Sequence, residues 1–214
     1  LGVPPDVVGL AADTATTEGA RAAVADAARA LGGLDAVLYT ASGAFVPTPP
    51  QEIDEAAWDA SFDVVARGFF FTACAARDAM VDETGGTVAA PQDGEAVATP
   101  VTRGAIVVVT DLLGIQAWAA FAAHGAAKAA QIHLVKMLAR AWAPDGVRVC
   151  GVAPGPVDLV DDERRDAALR TAAKGATGRL VTPAQVAAGV RFCLENDAVT
   201  GVNVIVDAGA LVTS

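Results

Sequence analysis

The stretch AIVVVTDLLGIQAWAAFAAHGAAKAAQIHLVKMLARAWAPDGVRVCGVA, residues 105–153, decides the fold. It opens on a short continuous apolar run, 105–109, of the kind that forms a strand buried on both faces. Residues 119–143 then make an alanine-rich segment with nearly continuous apolar faces, which predicts a long helix. A second buried strand is expected over 147–153, and Pro154-Gly155-Pro156 turns the chain sharply.

The same alternation extends in both directions. Upstream, the apolar run 7–12 ends in Asp13 and is expected to be a strand; Thr17 and Glu18 open a helix over 17–31 that Gly32 and Gly33 stop. Leu34-Asp35 lead into a strand over 36–39, which ends in the small-residue turn Ala41-Ser42-Gly43. A loop at 47–50 precedes helical composition over 53–79 in two segments, where Gly68 allows a neighbouring backbone to come close. Glycines and prolines break any periodicity over 84–102, so 83–103 reads as an insertion or flexible loop. Downstream, a charged helix over 161–174, a helix over 183–195 and a closing strand over 202–206 are expected. Strands and helices alternating at these lengths predict a single α/β domain over 1–214 with a mainly parallel sheet.

Composition narrows the partners. The chain has 214 residues, 53% of them hydrophobic and 19% charged, enough for one sizeable core. Its mean hydropathy of +0.42 comes largely from alanine. No run free of Asp, Glu, Lys and Arg is longer than the 16 residues of 112–127, which contains Gln116, His124 and two glycines and falls short of the roughly 20 apolar residues a spanning helix needs. No membrane span is expected. A net charge of −10, with 15 scattered Lys and Arg, argues against a nucleic-acid partner. Cys74, Cys150 and Cys193 are odd in number, widely spaced and set among apolar residues, which suits free thiols in a reducing compartment better than a disulfide framework or a metal site. No basic segment followed by an apolar one stands at the N-terminus, so a cytoplasmic location is the expectation.

Several landmarks, in this order, resemble the short-chain dehydrogenases/reductases: Asp13, Leu34-Asp35, Ala41-Ser42-Gly43, Trp58, Gly68, the helix signature His124-Gly-Ala-Ala-Lys128-Ala-Ala, the 147–156 segment, and Thr200-Gly201 through Asp207. The resemblance covers the whole chain, rests on order and spacing, and implies a Rossmann-like, doubly wound domain. In that family a catalytic serine precedes the tyrosine by thirteen residues, and a lysine follows the tyrosine by four. Counted back from Lys128, those places fall on His124 and Asp111.

The resemblance therefore assigns the catalytic positions to Asp111, His124 and Lys128, and vestigial cofactor-binding positions to Asp13, Ala41, Gly43, Lys128, Pro154 and Gly155. It also marks departures. The family tyrosine protonates or deprotonates the substrate oxygen. A histidine titrates in a suitable range but is shorter, and an ionised Asp111 cannot donate a proton and would repel a developing alkoxide. The paired asparagines that end the family's fourth strand fall on Tyr39 and Thr40, the helix asparagine of its proton relay on Val65, and the threonine that binds the nicotinamide carboxamide on Leu159. Both amide functions are gone, and the apolar Leu159 cannot replace the threonine's hydrogen bond. At each position a plainer role competes: Asp111 as a turn cap, Lys128 as a side chain reaching for solvent, Asp13 as a turn former.

No glycine-rich phosphate turn matches. Gly175 and Gly178 have a Gly-x-x-Gly spacing but no strand before them. By the resemblance, the sequence begins at the family's third strand and lacks its first β-α-β-α portion. Either the 7–12 strand pairs directly with the 36–39 strand through a right-handed crossover, or the natural chain is longer. No cofactor is expected from the residues present; NAD(P) is expected if an upstream region exists.

The leading expectation is a non-catalytic family member, a scaffold or the inactive subunit of a hetero-oligomer with a competent relative. It would assemble as a homo- or hetero-oligomer through the helices over 53–79 and 119–143. The competing expectations are an NAD(P)-dependent oxidoreductase with an atypical Asp-His-Lys site, a cofactor-free acid/base catalyst using Asp111 and His124, and a small-molecule binder using the cleft between the Pro154 turn and the 161–174 helix.

Overall fold

A computed structural model describes residues 7–43, 45–81, 102–158 and 162–213. The decisive segment folds as read. Strand β2 (Gly104–Val109), helix α4 (Ala122–Trp142) and strand β3 (Val147–Pro154) form a parallel β-α-β unit, with Ile106 beside Val149 and Val108 beside Gly151. Strand β1 (Ala36–Tyr39) pairs with β2, and β4 (Asn203–Val206) pairs with β3. The described sheet has four parallel strands in the order β1-β2-β3-β4.

Helix ends follow local chemistry. Helix α1 (Thr17–Leu31) starts where Thr16 Oγ1 accepts from Gly19 N at 3.0 Å, and ends at Gly32 in the left-handed region, φ 76°. Helix α6 (Pro183–Glu195) opens on a capping box in which Thr182 and Gln185 each accept from the other's backbone N–H. Between α2 (Glu55–Phe62) and α3 (Phe69–Met80) the chain widens into a π turn over Asp63–Gly68. The charged helix is α5 (Asp162–Ala172).

Apolar residues cover both faces of the sheet. On one face Val24 of α1, Phe69 and Ala73 of α3, and Val135 and Leu138 of α4 pack against Tyr39, Ile106, Val108, Val147 and Val149. On the other, Val190 and Cys193 of α6 pack against Val107, Cys150 and Val152. Gly68 carries a close approach, because a Cβ there would collide with Thr14 O and the Tyr39 hydroxyl. This is the doubly wound α/β arrangement expected.

The expectation of a strand over 7–12 is corrected. That segment is irregular, with Val7, Val8 and Leu10 54, 55 and 49% exposed. Among the described residues β1 is bonded only to β2, so the direct pairing of 7–12 with the 36–39 strand is absent as well. Strand geometry persists only where a ladder receives its N–H and C=O groups, and no described strand pairs with this run. The expected insertion over 83–103 falls almost wholly outside the described residues.

Candidate functional site

At the carboxyl end of β2 the chain passes through Thr110 into Asp111, which is extended (φ −157°, ψ 153°) and caps the short turn Leu112–Gly114: Leu113 N donates to Asp111 Oδ1 at 2.9 Å. That turn lies directly on α4. Gly114 permits it, since a Cβ there would stand 2.7 Å from Ile132 Cδ1 and 2.8 Å from Lys128 C. The close seat brings the other oxygen, Asp111 Oδ2, to 4.0 Å from His124 Nε2 in the first turn of α4. Lys128 follows one helical turn later. The structure thus gathers Asp111, His124 and Lys128, as the spacing required.

His124 and Lys128 are closed in, while Asp111 is partly exposed. His124 is 6% exposed, and the Phe45 ring meets it edge-on, with centroids 5.3 Å apart. Phe45 in turn stacks on Phe121 at 4.2 Å, with Trp118 beyond. The loop carrying Phe45 is tied to the start of α4 by Thr48 N donating to Ala120 O at 2.8 Å. Burial lowers the His124 pKa below its usual 6.5; the nearby Asp111 opposes that and Lys128 adds to it, so the ring is neutral at pH 7. Its buried Nδ1 has no hydrogen-bond partner among the described residues.

Lys128, 3% exposed, is turned inward. Its Nζ donates to Val109 O at 2.9 Å and to Gln131 Oε1 at 3.1 Å. Burial lowers its pKa from 10.5 to about 8, with Asp111 acting against the shift. The reading of Lys128 as a side chain reaching for solvent is corrected: no polar tip can snorkel from a site with two interior acceptors and almost no exposure.

The other positions are occupied structurally. Asp13 Oδ1 accepts from Ala15 N at 3.0 Å, a turn immediately ahead of α1. Ala41 packs against the core beneath β1. Gly43 lies against α2, where a Cβ would be 3.4 Å from Ala60 O. Pro154 ends β3, and Gly155 is pressed so closely on the chain just after β4 that a Cβ would stand 2.7 Å from Asp207 Cα. Leu159 lies outside the described residues. Surface hollows of about 360 Å³ beside Arg179, Gln185 and Asp207, and about 320 Å³ between α1 and α3, lie away from the Asp111, His124 and Lys128 group. Among the described residues, no cluster of His, Cys, Asp and Glu could hold a metal.

Sequence reasoning missed Gln131, Phe45 and Phe121. It also counted the amide at the relay position as lost. Val65 is indeed apolar, yet its carbonyl receives an amide from elsewhere: Gln131 Nε2 donates to Val65 O at 2.8 Å. A polar residue three positions after Lys128, within the apolar stripe of α4, was the available signal.

The family profile described as short chain dehydrogenase matches residues 3–90, and that described as enoyl-(acyl carrier protein) reductase matches residues 86–210. The chain is 31% identical to 2-(S)-hydroxypropyl-CoM dehydrogenase 3 of Xanthobacter autotrophicus over 94% of its own length and 75% of that protein's. It is 30% identical to the inactive 2-(S)-hydroxypropyl-CoM dehydrogenase 2 of the same organism, over 94% and 84%. Its backbone superposes on a short chain dehydrogenase from Burkholderia cenocepacia in complex with NADP with a TM-score of 0.76, 26% identity, and 94% of this chain and 76% of that one covered. Of the positions that match the family's cofactor contacts, Lys128 Nζ is hydrogen-bonded to Val109 O and Gln131 Oε1, Asp13 Oδ1 accepts from its own turn, and Gly155 lies against Asp207.

Proposed function

This chain belongs to the short-chain dehydrogenase/reductase family, and we propose that within it the chain does not carry out hydride transfer but serves as a scaffold or as the inactive subunit of an oligomer. The observation that carries this reading is the enclosure of His124. Reduction of a carbonyl needs a proton donor facing the oxygen that becomes an alkoxide. Here the group at that position is a neutral imidazole under the Phe45 ring, the Asp111 carboxylate stands 4.0 Å away, and an alkoxide beside that carboxylate is repelled. A 30% identical relative described as inactive gives the reading company within the family.

The test is direct titration of the purified chain into NADH and NADPH, followed by their fluorescence, with oxidation monitored in the presence of aldehydes and ketones. Neither a saturable fluorescence change nor substrate-dependent oxidation is expected. Saturation at micromolar protein together with turnover rejects the proposal.

The 4.0 Å approach of His124 Nε2 to Asp111 Oδ2 favours a second reading, an oxidoreductase or cofactor-free acid/base catalyst with an atypical Asp-His-Lys site. Under it His124→Ala abolishes the activity found, and an in-frame upstream segment carrying Gly-x-x-x-Gly-x-Gly would supply the NAD(P) site. An activity indifferent to His124→Ala removes this reading.

The proposed assembly, with itself or with a competent relative, uses the helices over 53–79 and 119–143, on which Trp58 and Met137 are 42 and 54% exposed. Three free thiols, two of them buried, support a reducing, cytoplasmic setting. Among the described residues, no helix is long and apolar enough to cross a membrane.

A further inference from the structure

Gln131 lies in the buried stripe of α4 with Ala127, Val135 and Leu138, and is wholly enclosed at 0% exposure. A primary amide in such a place is costly unless both of its ends find partners. Both do. Nε2 donates to Val65 O at 2.8 Å, and Oε1 accepts from Lys128 Nζ at 3.1 Å. Val65 belongs to the π turn Asp63–Gly68, whose carbonyls are met by side chains from other elements: the neighbouring Val64 O accepts from the Tyr39 hydroxyl.

The amide has little choice of orientation. A carbonyl only accepts, so the end of Gln131 facing Val65 must be its NH2 group, and its oxygen is left for Lys128. An oxygen at that place suits an ammonium donor, and the second acceptor, Val109 O at 2.9 Å, does the same. We propose that Gln131 is the positioning residue of Lys128: anchored on the π turn, it fixes the ammonium at the carboxyl end of β2 and favours its protonated form. The charged and titratable groups acting on Lys128 and its surroundings are Asp111, which favours the charge, and His124, one turn earlier on the same helix. Burial opposes the charge and brings Lys128 to about 8, so its titration falls in an accessible range.

This inference concerns the proton on Lys128 and is read without turnover, so it stands or falls separately from the proposed absence of hydride transfer. The experiment is an NMR titration of the full chain labelled with carbon-13 at lysine Cε, with Lys128→Met identifying the signal. Gln131→Met keeps the length of the side chain and removes its acceptor; the Lys128 midpoint is expected to fall by roughly one pH unit, the size of a lost hydrogen bond to a charged group. Gln131→Glu returns an acceptor with negative charge, and the midpoint is expected to rise to the wild-type value or beyond it. A purely structural role gives no such opposed displacement. In the wild-type chain itself, the Gln131 side-chain amide signals are expected to follow the Lys128 titration with the same midpoint. Equal midpoints in the three proteins overturn the proposal. So do Gln131 amide signals that stay constant through the wild-type titration, a result that requires no variant to fold.

Discussion

Lys128 is where single-residue chemistry is sharpest. Its folded-state pKa of about 8 lies below the ordinary 10.5 because burial disfavours the ammonium. Between those two values the unfolded chain binds more protons than the folded one, so stability rises with pH across that window. Below about pH 8 both states carry the proton, and the full cost of the buried charge is present. Chemical denaturation of wild type and Lys128→Met from pH 7.5 to 10.5 is therefore expected to show wild type gaining on the variant as pH rises, by on the order of 3 kcal/mol across the window. The other ionisable side chains are common to both proteins and cancel. Curves that stay parallel over that range would contradict the burial of a charged Lys128. Asp111, His124 and Lys128 were picked out through their resemblance to the family's spacing, and they lie together because the Leu112–Gly114 turn seats directly on α4. Gln131 was not, because its importance comes from a carbonyl 66 residues earlier in the chain, and Phe45 reaches His124 from a loop that carries no motif.

At the scale of elements, the same division between local and distant causes separates what could be read from what could not. The ends of α1 and α6 agree with the expected 17–31 and 183–195 because Thr16, Gly32 and the Thr182–Gln185 capping box act within a turn of the helix they delimit. The 7–12 run has strand composition but no strand paired with it among the described residues, and composition alone does not supply a ladder. The π turn between α2 and α3 is likewise invisible in a helical composition, since it is held by Tyr39 and Gln131 from outside. Arg148 of β3 is another such distant cause. Its guanidinium donates to Cys193 O at 2.7 Å and Leu194 O at 2.7 Å in the last turn of α6, and to Val199 O at 2.9 Å just beyond it. A cation at a helix C-terminus satisfies carbonyls that have no partner within the helix and complements the helix dipole. Arg148→Met leaves these buried acceptors unpaired and is expected to lower the unfolding free energy by about 3 kcal/mol. Arg148→Lys, with one compact donor group in place of the planar fork, should recover only part of the loss. Denaturant titration of the three proteins decides it: a loss under about 1 kcal/mol for the methionine variant means that Arg148 does not hold this helix.

For the whole molecule, the buried runs 105–109 and 147–153 were sufficient to announce a parallel sheet, because a strand covered on both faces needs helices on both sides and the helices between the strands provide them. The assembly of copies is less legible, since alanine-rich helices read alike whether they face a core or a partner. In the folded chain Trp58 of α2 and Met137 of α4 remain 42 and 54% exposed, and helix α2 packs against α4. If the helices over 53–79 and 119–143 meet a second subunit, a charge placed at either position must be desolvated on association, at a cost of several kcal/mol, whereas in the separate chain the same charge stays in water and leaves folding nearly unchanged. Sedimentation equilibrium is therefore expected to show wild type as an oligomer and Met137→Glu and Trp58→Glu shifted toward the single chain, with thermal unfolding of the dissociated species still cooperative. An oligomer that withstands both substitutions would place the interface on another face of the molecule, and a wild-type chain that sediments as a single copy at tens of micromolar would remove self-assembly, leaving a different family member as the partner to be sought.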